Sequence, residues 1–564
     1  MKSKYSEWSK DELIKKIKAL EKHRYGLVWE DKLEEVAELC EKELPVLHEV
    51  SEKEIKCENG LLQNVLIEGD NYHALYTLSF THKRKVDVIY IDPPYNTGNK
   101  SWRYNNNFVD KEDRYRHSKF ISFMNKRLRL AKQLLKDNGI IICAIDDYEV
   151  AALKLLLDDI FNEQNRLGTL VIVHNPRGRN DDKFFATQHE YLLIYAKNSN
   201  NAYVGHFALN EEDKDQYKQY DDISAFSETS FIRTGNNSKR TERPNLYYPI
   251  YYNERLNELS LDKQSGWIEL LPINAAGEEK TWRWGIITFL ELHKTELFVK
   301  KIKGEYKIFK KRRLKETTGK KPKTVWYDPK YDASSNGIMI LQKILGRENT
   351  FNYPKSLYAV RDILEITTNK NSIILDFFAG SGTTGHAVLE LNKHDGGERQ
   401  FILCTNNENG ICEEVCYPRI KKVIEGYNGN KGISANLKYY KTDFVPQIIT
   451  DNDKRVLVNR STELLCLAEN TFERVKQSKR NQEYAIFKNA NKYTAIIYDE
   501  DAIEQCKKEL LAMNPKVKTV IYVFSYTHEY NTEDFEDLTI RYEVKPIPEA
   551  ILNVYRKNSK LRRK

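Results

Sequence analysis

The sequence predicts an α/β protein built on a mainly parallel, doubly wound sheet, interrupted by one inserted module and followed by a small α+β domain. Three observations carry this expectation. Short β-rich runs alternate with amphipathic helical stretches across residues 61–199. The alternation stops across 200–325 and resumes across 326–445. On each side of the interruption, one strand ends in a turn rich in chemistry, at the edge where open α/β sheets place their ligands.

Residues 1–60 read as a helical arm, because Leu13, Ile14, Ile17 and Leu20 recur at helical spacing within 9–40. Strands are expected over 65–68, 86–91, 140–145, 169–173 and 191–196, with helices over 71–80, 118–135 and 148–161 between them. The 200–325 stretch is polar, aromatic and irregular. Strands at 372–376 and 401–404 and helices at 383–391 and 413–425 then resume the α/β alternation. One sheet is therefore expected from two separated halves. Residues 446–564 read as a helical segment over about 452–481, then strands at 484–488, 494–498 and 519–524 with a helix at 502–511.

A chain of 564 residues exceeds what one core supports, so several domains are expected. A charge of +8 on this length is mild, but 12 Lys and Arg stand against 2 Glu between Lys300 and Lys323. The remainder is close to neutral. No apolar run approaches a membrane span, and the N-terminus carries no apolar signal core. The 8 cysteines are scattered without a CxxC pair, as free thiols of a reducing cytoplasm are, and no metal site is expected.

The first chemical motif is Asp92-Pro93-Pro94-Tyr95, directly after the strand at 86–91. An exocyclic amine on a base is a poor nucleophile, because its lone pair is delocalised into the ring. The Asp92 carboxylate can accept one of its N–H groups and the Pro93 carbonyl the other. This draws the nitrogen toward tetrahedral geometry. Two prolines fix φ and hold the acceptors rigid, and Tyr95 offers a ring on which an extruded base can stack. A plain strand-ending turn is the alternative.

The second motif is Asp376-Phe377-Phe378-Ala379-Gly380-Ser381-Gly382-Thr383-Thr384, again strand, glycine turn and helix. A helix N-terminus behind a glycine turn favours a carboxylate or phosphate. A P-loop reading fails, since no Lys follows Gly382. A dinucleotide site and an S-adenosylmethionine site both remain open on the pattern. In the latter, an acid after the next strand would take the ribose hydroxyls. Glu408 is the candidate, with an exposed loop acid as the alternative.

Together the two motifs resemble the amino-group DNA methyltransferases, in the permuted beta order with DPPY before the glycine turn. DPPY rather than SPPY is the form usual for adenine N6, with cytosine N4 as the less favoured product. Tyr25-Gly26-Leu27-Val28-Trp29-Glu30, Gly69-Asp70-Asn71, Ile145-Asp146-Asp147, His189-Glu190-Tyr191, Arg243-Pro244-Asn245-Leu246-Tyr247-Tyr248-Pro249, Arg283-Trp284-Gly285, Phe351-Asn352-Tyr353-Pro354-Lys355, Cys404-Thr405-Asn406-Asn407-Glu408 and Lys545-Pro546-Ile547-Pro548-Glu549 narrow it. They are similar to signatures of the modification (Mod) subunits of type III restriction–modification systems.

The resemblance implies a Rossmann-like S-adenosylmethionine-dependent methyltransferase fold. Residues 61–199 would be its catalytic half, 200–325 a target-recognition domain, 326–445 the cofactor half and 446–564 a C-terminal domain suited to dimerisation. Asp92, Pro93, Pro94 and Tyr95 are implied as catalytic. Asp70, Asp376, Phe378, Gly380, Ser381, Gly382, Thr383, Thr384, Glu408 and Lys355 are implied as cofactor-binding. Asp70 would accept from the adenine amine, or cap the following helix, or both. Phe378 would pack on the cofactor or in the core. Lys355 would reach the methionine carboxylate or lie exposed. Asn96 and Gly98 would border the target base, and Asp146 and Asp147 would shape the pocket or cap a helix. Arg312 and Arg313 are expected to contact phosphates.

Double-stranded DNA, a second copy of the chain and a separate helicase–nuclease restriction subunit are the implied partners, in the cytoplasm. A solitary methyltransferase, a dead DNA-binding scaffold and an RNA or protein methyltransferase are the competing readings. Methylation at cytosine C5 needs a thiolate, typically in a Pro-Cys pair. None of the 15 prolines precedes a Cys.

Overall fold

The structure is a computed structural model. It describes every residue except 1–7, 22–28, 30–33, 58–61, 98–102, 105–106, 109–112, 180–181, 349–350, 352, 479–482, 528–529, 531 and 563–564. Gly98, Asn352 and all of the signature at 25–30 but Trp29 thus lie outside the described residues. The chain divides into two compact units, Met1–Gly205 with Lys323–Lys564, and His206–Pro322.

Among the described residues, the first unit is organised by a ten-stranded sheet. In chain order its strands are β1 (Glu43–Glu49), β2 (Gln63–Glu68), β3 (Val86–Ile91), β4 (Leu135–Ile145), β5 (Arg166–Val173), β6 (His189–Ala196), β7 (Val325–Trp326), β8 (Ile373–Asp376), β9 (Gln400–Thr405) and β10 (Asn436–Pro446). Their order in space is β1-β10-β2-β9-β8-β3-β4-β6-β5-β7. The run from β10 to β4 is parallel, whereas β6 is antiparallel to both β4 and β5, and β1 to β10.

Five of the six residues of β3 are buried, as a central parallel strand requires. Pro93 and Pro94 then end it, since neither offers an N–H to a ladder. The helices that wrap the sheet are α1 (Asn71–Thr81), α2 (Arg116–Leu134), α3 (Val150–Phe161), α4 (Leu357–Thr367), α5 (Thr383–Asp395) and α6 (Tyr417–Glu425). From β8 the chain leaves through α5 toward β9; from the adjoining β3 it leaves through α2 toward β4. Departures to opposite sides open a crevice between the carboxyl ends of β8 and β3.

Several expectations are corrected. Residues 43–49, assigned to a helical arm, are an edge strand paired with β10. Residues 436–446 form a long strand, and Glu473–Gln477 is a strand rather than helix. The latter belongs to a five-stranded sheet with Tyr484–Lys488, Lys492–Ile497, Lys518–Phe524 and Tyr542–Ile547. A last helix, α7 (Glu549–Arg562), returns to α1: Tyr76 OH donates to Tyr555 O at 2.9 Å, and Tyr555 OH to Pro45 O at 2.7 Å. One apolar cluster joins Val65, Ile89 and Ile141 to Ile496, Val520 and Ile551. Each such side chain contributes roughly 1.5–3 kcal/mol on burial, so the C-terminal sheet shares the core of the first unit.

The second unit has its own core of Phe231, Tyr248, Ile250, Trp282, Phe289, Leu297 and Ile308. The basic stretch forms a hairpin of Leu297–Ile302 and Glu305–Arg313, and its charge is largely answered within the unit. Lys300 pairs with Glu228, Lys311 with Asp221 at 2.7 Å, and Lys320 with Asp213 at 2.9 Å. Arg313, expected on a phosphate, is 1% exposed and held by Asp221 and Glu296, each at 2.8 Å. Over 206–322, 22 Lys and Arg stand against 18 Asp and Glu, so the unit carries +4. Arg312, on the opposite side of the strand, stays exposed.

Candidate active site

The end of β3 places Asp92 in a cluster of four side chains. Lys355 Nζ lies 3.1 Å from Asp92 Oδ1 and donates to Glu190 Oε2 at 2.6 Å. It also donates to Tyr95 OH and sits 4.5 Å from the centroid of that ring. Tyr95 OH donates to Glu190 Oε2 at 2.9 Å. Burial pushes the Asp92 carboxyl up, the Lys355 ammonium opposes, and Glu190 adds to the rise. Burial also works upward on Glu190, but Lys355 outweighs it and holds Glu190 below the usual range. Tyr95 is pushed well up by burial and by both carboxylates, so it remains a donor.

This corrects the expectation for Lys355. Its ammonium turns to two carboxylates beside the DPPY turn rather than to the glycine turn, because two nearby anions attract a cation that the open N–H donors of the glycine turn repel. Glu190 had no assigned role. A single acid inside the apolar run HEYLLIYA was its visible signal.

Asn96 follows with φ +54° and is 1% exposed. Its Nδ2 donates to Glu149 Oε1 at 2.5 Å, and His117 Nδ1 contacts the same oxygen at 2.7 Å. Asp146 accepts from Tyr148 N at 3.0 Å, which closes a turn ahead of α3 rather than capping it, since Glu149 is the N-cap residue and no side chain caps that helix; burial pushes the Asp146 carboxyl up to about 6. Asp147 accepts from Tyr191 OH at 2.9 Å.

One strand over, Asp376 ends β8. Its Oδ1 accepts from Phe378 N at 2.9 Å and its Oδ2 from Thr384 Oγ1 at 2.5 Å, which folds the glycine turn back on its strand. Burial pushes this carboxyl up to about 7. Gly380 has φ +49° and Gly382 +77°, where side chains are strained, and a Cβ on Gly382 would stand 3.1 Å from Cys416 Sγ. Among the described residues, the N–H groups of Ser381, Thr383 and Thr384 donate to no protein acceptor. The turn is therefore a cradle of open donors at a helix N-terminus, suited to an anion.

Asp70 caps α1, accepting from Tyr72 N at 2.7 Å, and its Oδ1 also lies 3.3 Å from Arg127 Nη2. Asn71 Nδ2 donates to Phe377 O at 3.0 Å, tying the start of α1 to the glycine turn. Arg127, fully buried, pairs with Glu34 at 2.7 Å and stacks 3.6 Å from the centre of the Phe123 ring, which packs on Phe378. Glu408 lies exposed after β9, and its backbone N–H donates to Asn406 Oδ1 at 3.4 Å. Asp92, Tyr95, Asp376 and the glycine turn thus gather at adjoining strand ends.

A DPPY turn and a donor-rich glycine turn stand at the carboxyl ends of two adjacent parallel strands of a doubly wound α/β sheet. The family model described as DNA methylase matches residues 86–415, more than half of the chain. The chain belongs to this DNA methylase family. The type III restriction-modification enzyme EcoPI Mod subunit of Escherichia phage P1 is 35% identical over 381 residues, covering 62% of this chain and 58% of that one. The type II methyltransferase M.KpnI of Klebsiella pneumoniae is 37% identical over 343 residues, covering 60% of this chain and 79% of that one. The StyLTI Mod subunit of Salmonella typhimurium is 30% identical over 410 residues, covering 68% and 59%. The chain thus spans less than two thirds of the length of these two type III relatives.

Proposed function

We propose that this chain transfers a methyl group from S-adenosylmethionine to N6 of adenine in double-stranded DNA, as the modification subunit of a type III restriction–modification system. The observation that carries the reading is the Asp92-Pro93 pair of acceptors at the crevice shared with the glycine turn. The residues present fit the cofactor. The open N–H groups of Ser381, Thr383 and Thr384 suit its carboxylate, and the left-handed Gly382 keeps that approach clear. When bound, the cofactor supplies an electrophilic sulfonium methyl.

The chain's own residues do the rest. Tyr95 stacks the extruded base. Asp92 and the Pro93 carbonyl hold its amine, and Glu190 takes up the Lys355 ammonium when the amine arrives. Asp376 keeps the turn folded, and Asp70 and Phe378 border the cofactor side, with Glu408 available to a ribose. No thiol competes: burial pushes Cys143, Cys404 and Cys416 all up, so none is a thiolate at neutral pH. Residues 206–322 would read the DNA sequence, and 446–564 would support a homodimer in the cytoplasm. Among the described residues, no helix is long and apolar enough to cross a membrane.

Methylation-sensitive long-read sequencing of DNA from cells expressing the protein tests the reading. N6-methyladenine at one recurring sequence is expected, and its loss in Asp92→Ala. N4-methylcytosine, or no modified base, would refute it. A solitary methyltransferase is the second reading, favoured by the 79% coverage of a type II enzyme. Co-purification with an ATP-dependent helicase–nuclease separates the two.

A further inference from the structure

Arg419, on α6, is completely buried, and among the described residues no carboxylate lies within ion-pair distance of it. Its Nη1 donates to Thr383 Oγ1 at 2.8 Å and Ser381 Oγ at 3.1 Å, and reaches Ser381 O at 3.4 Å. Its Nη2 meets His386 Nδ1 at 3.3 Å, and Nε is buried without a partner. Burial pushes the guanidinium down to about 10 and His386 down to about 4, so Arg419 is charged at neutral pH and His386 is not. The remaining groups nearby are the Cys416 thiol, the Tyr427 phenol and Glu390, which lies 3.8 Å from His386 Nε2.

A buried cation without an anion is costly, and a well-packed apolar side chain of similar volume would serve stability better. Here the charge is aimed at a turn that already carries the positive end of a 13-residue helix and the open N–H groups of Ser381, Thr383 and Thr384. The nearest acid on the turn does not answer it. Both oxygens of Asp376 are engaged by Phe378 N and Thr384 Oγ1. Two independent positive elements therefore converge on one turn, and among the described residues no carboxylate pairs with Arg419 or with the open N–H groups of Ser381, Thr383 and Thr384.

We infer that Arg419 is a positioning residue for the carboxylate of the cofactor's methionine portion, acting through the Ser381 and Thr383 hydroxyls that it pins behind the glycine turn. This rests on the S-adenosylmethionine reading. It makes the turn selective for an anionic end rather than merely accommodating one.

Titration calorimetry on the full-length protein tests it with two ligands, S-adenosylmethionine and its decarboxylated analogue, which keeps the sulfonium and the amine. In Arg419→Met, the Kd for S-adenosylmethionine should rise about tenfold or more, and that for the analogue less than about threefold. Arg419→Lys should keep much of the preference. The ratio of the two affinities in one preparation does not depend on the folded fraction. Arg419→Gln, which retains donors without charge, reads the same ratio if Arg419→Met does not fold. Equal weakening for both ligands would make Arg419 a brace only and overturn the inference, as would no weakening for either. Wild-type protein that binds neither ligand would overturn the cofactor reading itself.

Discussion

Lys355 Nζ stands 3.1 Å from Asp92 Oδ1, in the seat that a target amine would take, and 4.5 Å from the centre of the Tyr95 ring on which the base would stack. Glu190 Oε2, 2.6 Å from the same nitrogen, is its other resting point. On the proposed function, an amine would reach Asp92 only as the ammonium yields, so these residues would set both the charge and the occupancy of the acceptor.

The acid limb of methyl transfer should therefore depend on Lys355. Asp92 must be ionised to accept the amine, and burial holds its carboxyl up while Lys355 pulls it down. In Lys355→Met the limb of kcat/KM should move to higher pH, and in Glu190→Gln, which removes a raising charge, to lower pH. Asp92→Asn should lose about 100-fold or more at every pH. Tritiated-methyl incorporation from pH 5 to 9 checks this, and an unmoved limb in Lys355→Met would sink it.

Asn96 should be costly to replace for two separable reasons. At φ +54° it is strained for Ala but not for Gly, and its amide answers the buried Glu149 carboxylate at 2.5 Å. Asn96→Ala should destabilise by about 1–3 kcal/mol, and Asn96→Gly by less, in urea unfolding.

Asp376 should make stability fall as pH rises. Its carboxyl, pushed up to about 7 in the folded chain, keeps a proton that the unfolded chain releases near 4. The native state binds more protons between these values, so stability declines across that window and levels off above it. Asp376→Asn removes this loss. The difference in Tm, variant minus wild type, should grow from pH 5 to pH 8. A constant difference would refute the assignment.

Arg312 and Arg313 should behave oppositely. Arg312→Ala removes an exposed cation, so DNA binding should weaken and its salt slope fall by about 1. Arg313→Met strips Asp221 and Glu296 of their shared buried partner, so the melting temperature should drop. Fluorescence anisotropy across salt concentrations, with thermal melts, separates the two.

The strands at the centre were legible because VIYI and IIL are unbroken apolar runs, each closed by an aspartate that opens a proline or glycine turn. The edges were not. NLKYYKTDFVP mixes lysine, threonine and aspartate with apolar residues, and only pairing with β1 and β2 makes it a strand. ERVKQ suits a helix by composition and is a strand because Tyr484–Lys488 lies beside it. The two contiguous motifs could be read for the same local reason. Lys355 and Glu190, 165 residues apart, and Arg419, 38 residues from Ser381, act through contacts that no local pattern encodes.

The strand order governs how the chain can be made. β2 and β3 follow one another in sequence, yet β9 and β8 stand between them in the sheet. A ribosome releases residues 63–205 well before 373–405, and until then the facing edges of β2 and β3 hold unpaired N–H and C=O groups. The crevice forms only after the last of these strands has left the tunnel, so nascent chains are inactive and prone to association for most of their synthesis. A chain cut anywhere within 206–322 would give two fragments, each missing the strands that complete the other, and thus a route to a split enzyme whose halves report their own reunion by regaining a working site.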